Sequence, residues 1–250
     1  MLDHTQLKVL VETAVDLTST ARELSERDRD YYDGYQLTPE EVKALRARKQ
    51  PPLVINRIKR KVDAMVGIEQ RGRSDPRALP RTPRDEQSAD VATKALVFVD
   101  DQTRFDLKKS LAFENLLVEG YGGVEVIVDQ KRGRFDVTIN RLRWEEIFFD
   151  PYSREKDFSD ASYLGCMKWM ALDKAIALYG EQFREILEGS AASAQDGQTF
   201  EDRPHDNKNF RWGDPTQKRV RVAQMYYLRG GVWHYAIFTG KGEIFNAVSP

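Results

Sequence analysis

Val118-Glu119-Gly120-Tyr121-Gly122-Gly123-Val124-Glu125-Val126-Ile127-Val128-Asp129 decides the fold, because the spacing of apolar residues changes within it. Before Gly120 the apolar side chains (Leu107, Leu111, Leu117, Val118) keep a helical spacing. After it, Val124, Val126 and Val128 stand at every second position, as on one face of a strand. Gly120 itself suits the left-handed end of a helix. The run Asp129-Gln130-Lys131-Arg132-Gly133 has turn composition, and a second apolar run over 135–139 follows, which predicts a β-hairpin. Residues 144–149 predict a third strand, closed by Asp150-Pro151. The fold class expected is α+β, with long N-terminal helices followed by a small mixed or antiparallel sheet with hairpins.

Upstream of the switch the pattern is helical. Leu7, Leu10, Ala14, Leu17, Ala21 and Leu24 form one narrow stripe on a helix expected over 5–32, ended by Asp33-Gly34. Thr38-Pro39-Glu40-Glu41 combines an N-cap threonine, proline at the first position and acids at the positive dipole end. That helix is expected to run to 49 and stop at Pro51-Pro52. Ile55, Ile58, Val62, Met65 and Val66 give the next helical face. Pro76, Pro80 and Pro83 make 71–84 an extended arm, and two more helices are expected over 85–99 and 103–119.

Downstream, 171–178 and 181–187 read as helices, and 189–217 as a long connection rich in Gly, Ser, Asp, Asn and Pro. A second hairpin is expected over 219–228 and 232–239 across Arg229-Gly230-Gly231, then a short strand over 243–248. This divides the chain into a mainly helical portion (1–120), a hairpin with a strand and helices (121–188), the connection (189–217) and an antiparallel β portion (218–250). The last sheet would carry an unpaired edge at Pro250, so the polypeptide is expected to continue beyond it.

Composition narrows the function. The 250 residues are 40% hydrophobic and 32% charged, with 12 Phe, 10 Tyr and 4 Trp, too aromatic for a wholly disordered chain. One cysteine, Cys166, excludes an internal disulfide framework and a multi-cysteine zinc site. No apolar run approaches the ~20 residues of a membrane span, and the N-terminus has no signal-peptide pattern. A protein made in the cytoplasm, with no membrane partner, is expected. The net charge of −1 hides two opposed blocks. Residues 12–41 hold nine acids against three bases, and 43–84 hold thirteen bases against three acids. Such blocks suit complementary faces in an assembly, or a basic face towards nucleic acid.

The chemistry-bearing residues are few. His4, His205 and His234 lack metal-ligand spacing, and Gly120-Tyr121-Gly122-Gly123 lacks the lysine and helix of a phosphate loop. Glu125, Asp129 and Lys131 have the residue types of a metal-dependent nuclease, in which carboxylates hold Mg²⁺ and activate water. Asp100, Asp101 or Asp106 would supply the further carboxylate. The same Asp129 region also reads as an ordinary turn. Glu145, Glu146, Asp150, Asp157 and Asp160 form an acidic patch without calcium-loop spacing, expected to shape a turn and a solvated loop. The basic residues Arg57, Lys59, Arg60, Lys61, Arg71, Arg73, Arg77, Arg81 and Arg84 can neutralise phosphates or face a partner. No aromatic residue is interleaved among them, so base stacking is not indicated. Glu23, Glu26, Asp28 and Asp30 are the candidate acidic side of a subunit contact. No cofactor is expected.

The run Arg27-Asp28-Arg29-Asp30-Tyr31-Tyr32-Asp33-Gly34-Tyr35-Gln36-Leu37-Thr38 resembles a signature near the start of the portal proteins of short-tailed, P22-like bacteriophages. Residues 45–51, Asn56-Arg57-Ile58, Val66-Gly67-Ile68-Glu69, Tyr121-Gly122-Gly123-Val124-Glu125-Val126 and Phe149-Asp150-Pro151-Tyr152-Ser153-Arg154 continued by Asp157-Phe158-Ser159-Asp160-Ala161 follow in the family's order. The resemblance implies the N-terminal wing region of a subunit in a dodecameric ring at one capsid vertex of the virion. That ring is the channel through which double-stranded DNA is packaged and ejected. It meets capsid and scaffolding proteins, terminase, and tail or adaptor proteins, and it is not an enzyme. The family's chains continue into stem, clip and further wing segments. The rivals from the residues alone are the nuclease and a basic DNA-binding scaffold module.

Overall fold

A computed structural model describes residues 1–131, 134–193 and 210–249, leaving aside the side chains of Asp129, Gln130, Lys131 and Arg134. The contacts divide the chain into two compact units, one of Met1–Glu23 with Glu145–Pro250 and one of Leu24–Trp144.

The first unit is an antiparallel sheet with helices on both faces. Its strands are β3 (Ile147–Phe149), β4 (Tyr163–Ala171), β5 (Gly213–Asp214), β6 (Arg219–Arg229), β7 (Val232–Phe238) and β8 (Glu243–Val248). The order is β3-β4-β6-β7-β8, with β5 also on β6. β6 shows the two-residue period directly: Val220 and Val222 enter one apolar cluster, while Ala223, Met225 and Tyr227 enter the other. Helix α1 (His4–Leu17), capped by Asp3, lays Leu7, Val11, Ala14 and Val15 on the second of these faces against Phe148, Met167 and Phe238. Helices α7 (Leu172–Tyr179) and α8 (Arg184–Ala191) cover the other face with Ala175, Ile176, Leu187 and Ala191. The β6–β7 turn is the expected Gly230-Gly231, both at positive φ (59° and 78°), as a tight hairpin turn requires.

The second unit is helical with one β-ribbon. It holds most of α2 (Ser19–Asp33), then α3 (Pro39–Ala47), α4 (Arg57–Arg71), α5 (Glu86–Thr103), α6 (Phe105–Glu119), and the ribbon β1 (Gly123–Lys131) with β2 (Arg134–Leu142). Thr38 and Glu41 form the expected capping box of α3. Its apolar cluster is small: Tyr32, Val62 and Val118, with Val66 and Leu117 against them.

Three expectations are corrected and one strand is added. The helix expected over 5–32 is two helices. Thr18, at φ −97° and ψ 6°, leaves helical geometry between them, and its hydroxyl donates to the Ala14 carbonyl at 2.6 Å. The buried stripe of α1 therefore runs through Val11 and Val15, and Leu17 is 55% exposed. The strand expected over 144–149 begins as a 3-10 turn, Trp144–Glu146, and β3 pairs with β4 of the first unit rather than with the ribbon. β4 itself went unpredicted, since Tyr163-Leu-Gly-Cys-Met-Lys-Trp-Met has no clean alternation; it is covered on both faces and needs none. Finally, β1 continues through Asp129, Gln130 and Lys131, paired with Asp136, Phe135 and Arg134, so these three are strand rather than turn. Arg132 and Gly133 lie outside the described residues, as do 194–209 of the expected 189–217 connection; residues 189–191 belong to α8 and 213–214 to β5.

Candidate interaction surfaces

The quoted signature run is a packing device. From α2, Arg29 donates to Glu119 Oε1 at 2.6 Å, Glu114 Oε1 at 3.0 Å and Asn115 Oδ1 at 3.2 Å, all on α6. The Arg29 guanidinium also lies 5.3 Å from the centre of the Tyr32 ring. Burial opposes its charge, but the Glu119 and Glu114 carboxylates prevail and raise its pKa. Tyr32 donates to Asp63 of α4 at 2.8 Å, and burial with that hydrogen bond raises its pKa. Gly34, at φ 99°, ends α2, while the Tyr35 N–H reaches back to the Asp30 carbonyl at 2.8 Å. Asn56, from the next signature piece, caps α4 through the Lys59 N–H and donates to the carbonyls of Tyr31 and Tyr32. Gly122 is required by close approach, since a Cβ there would sit 2.2 Å from the Ala112 carbonyl oxygen.

The acidic patch divides. Asp150 is buried and accepts from the N–H groups of Tyr152 (3.0 Å) and Ser162 (3.1 Å). Asp160 accepts from the Arg154 N–H at 2.7 Å and the Ser153 hydroxyl at 2.6 Å; those bonds lower its pKa. Asp157 likewise takes the Ser159 hydroxyl and N–H, which lower its pKa. These carboxylates hold a loop together. Glu145 and Glu146 sit in the 3-10 turn before β3.

Of the basic candidates, Arg57, Lys59, Arg60, Lys61 and Arg71 lie exposed on α4, and Arg77, Arg81 and Arg84 lie exposed on the arm. Lys59 rests 5.3 Å from the Tyr32 ring centre. Arg73 differs: it donates to Glu69 at 2.9 and 2.6 Å and pairs with Asp106 at 3.2 Å, tying the end of α4 to α6. On the acidic side, Glu23 is exposed and Glu26, Asp28 and Asp30 are half-buried, with Asp28 paired to Arg27 at 2.8 Å. The nuclease candidates fall on three elements, β1, α5 and α6. Glu125 stands opposite Asn140 on the ribbon, Asp100 and Asp101 lie in the last turn of α5, and the side chains of Asp129 and Lys131 fall outside the described ones. Among the described residues no group of three or more His, Cys, Asp or Glu is placed to hold a metal ion. His4 donates to the Thr239 carbonyl at 2.7 Å, His234 stacks on Tyr227, and His205 lies outside the described residues.

Sequence reasoning missed Arg221. It is buried on β6 between the rings of Trp169 (4.6 Å) and Phe210 (4.5 Å). Burial, and then the nearby Arg22, push its pKa down to about 9. Aromatic faces hold this cation.

The described surface is thus one of exposed basic residues on α4 and the arm, beside signature residues engaged in packing. Residues 8–246 match the family described as Phage P22-like portal protein, and the chain belongs to that family. It is 25% identical over 154 residues to the portal protein of Helicobacter pylori bacteriophage KHP30, a match covering 61% of this chain and 26% of that protein. The chain thus aligns with about a quarter of its relative's length. Among the described residues, no helix is long and apolar enough to cross a membrane.

Proposed function

We propose that this chain is a structural part of the portal ring at one vertex of a tailed-phage capsid, the opening through which double-stranded DNA enters and leaves. The observation that carries this is the family match across residues 8–246. The signature run supports it by being engaged in packing, as a scaffold requires. The whole protein assembles as a dodecamer in the virion, meets capsid and scaffolding proteins, and docks terminase and then the tail or adaptor proteins. It has no catalytic role.

Neighbouring copies meet through opposed charge. A closed ring needs a heterologous contact, in which one face of a subunit complements a different face of the next. The exposed Arg57, Lys59, Arg60, Lys61 and Arg71, with Arg77, Arg81 and Arg84 of the arm, are the basic side. Glu23, Glu26, Asp28 and Asp30 on α2 are the acidic residues singled out by sequence, and α5 carries a second acidic surface. Exposed pairs are each worth only about 0–1 kcal/mol, so charge sets register and encounter more than strength.

An antibody raised against the chain, applied to virions that carry it and viewed by electron microscopy, tests the reading. Label at a single vertex of each particle is the expected result. Label spread over the whole capsid, or absent from it, refutes the portal assignment.

A further inference from the structure

Helix α4 turns Val62 and Val66 inward, yet both α4 and α5 also carry an apolar stripe that lies in solvent. Helices in globular proteins owe most of their stability to tertiary packing of one face. Yet α5 is 18 residues long and buries only Thr103. Val91, Ala95 and Phe98 recur at helical spacing along it; Val91 is 61% and Phe98 64% exposed. On α4 the line Ile58, Lys61, Met65, Ile68 is likewise open, with Ile58 at 41%, Met65 at 48% and Ile68 at 71%. Exposed apolar stripes of this kind mark contact sites.

Charge says what covers them. α4 carries five bases against two acids, net +3, and α5 one base against four acids, net −3. Each is also charged against its own dipole. Arg57, Lys59, Arg60 and Lys61 crowd the positive end of α4, whose first turn holds no acid. Asp100 and Asp101 stand at the negative end of α5, whose last turn holds no base. Burial, and then repulsion from Asp106, Asp101 and Asp75, raise the pKa of Asp100, which marks a concentration of negative charge there.

We infer that α4 of one copy packs antiparallel on α5 of the next copy, apolar stripe on apolar stripe. The direction follows from the ends: the basic start of α4 meets the acidic end of α5, and Arg71 at the far end meets Glu86. Ile58 and Met65 are seven residues apart, as are Phe98 and Val91, so at a rise of about 1.5 Å per residue the two pairs match in register, with Lys61 opposite Ala95. The stripes form the apolar centre and the charges the rim, as interfaces are commonly built. The favoured acidic partner is α5 rather than α2, because Asp28 is occupied by Arg27 and α2 already lies beside α4 within the same chain through Tyr32, Asp63 and Asn56. This inference rests on the ring reading above, and its test separates the two.

Lys61→Cys and Ala95→Cys chains, made separately, are mixed under mild oxidation; the natural Cys166 is buried. A disulfide-linked pair of unlike chains, absent when either variant is oxidised alone, is expected. Native mass spectrometry should show that Phe98→Glu weakens association roughly tenfold or more, with helix content unchanged. Arg57→Glu with Lys61→Glu should abolish association, and Asp100→Lys with Asp101→Lys on the partner should restore it. Rings that form without the disulfide between positions 61 and 95, links between like variants, or rescue by Glu26→Lys, Asp28→Lys and Asp30→Lys instead would overturn this contact and leave the portal reading standing. A chain that stays monomeric at every concentration also overturns it. The unlike-chain link without single-vertex labelling would uphold the contact and refute the portal reading.

Discussion

Replacing Arg29 with methionine should destabilise the second unit more than any surface change. The guanidinium serves three partners on α6, and the Glu119 side chain it meets at 2.6 Å is 4% exposed while Arg29 is 25% exposed. Removing one member of a buried ion pair costs about 3–5 kcal/mol, because the remaining charge keeps its desolvation penalty without its partner. Partial exposure of Arg29 places the loss near the lower end, about 3 kcal/mol, and the melting temperature should fall by about 10 °C. Arg29→Met with Glu119→Gln should lose less than Arg29→Met alone, since no buried charge is then stranded. Urea unfolding followed by circular dichroism measures both. A loss below about 1 kcal/mol for Arg29→Met, or a double variant as unstable as the sum of the singles, refutes the claim that this pair holds α2 to α6.

Gly165→Ala should cost about 3 kcal/mol, since a Cβ would lie 2.1 Å from the Gln224 carbonyl oxygen and overpacking two paired strands cannot be relieved by a side chain; thermal melting reads it. Arg73, chiefly by hydrogen bonding, holds the Glu69 carboxyl below its ordinary 4.5. Its stabilisation is therefore complete above pH 4.5 and is lost as pH falls through the lowered value, so Glu69→Gln should flatten the acid limb of stability against pH in urea titrations. Plasmid DNA incubated with the chain and Mg²⁺ or Mn²⁺ should remain intact on a gel, with Asp129→Ala indistinguishable from the natural chain; cleavage abolished by that substitution would revive the nuclease reading.

Consecutive letters were enough to read the fold class, the Thr38 cap of α3, the Gly230-Gly231 hairpin, the glycine ends of α2 and α6, and the family. Each rests on a local rule, a cap, a turn or a period, that acts within a few residues. Long-range packing settled what those rules do not reach. β4 has no alternating pattern because both its faces are covered, and only the pairing partners say so. The strand after Trp144 joined the first unit's sheet because Cys166, Gly165 and Leu164 offered it an open edge. Arg73 and Arg29, mere letters in charged runs, became struts because helix packing brought Glu69, Asp106 and Glu119 to them. Spacing alone marked Ile58, Val62, Met65 and Val66 as one helical face; only the packing divides it, with Val62 inside and Ile58 and Met65 left to solvent.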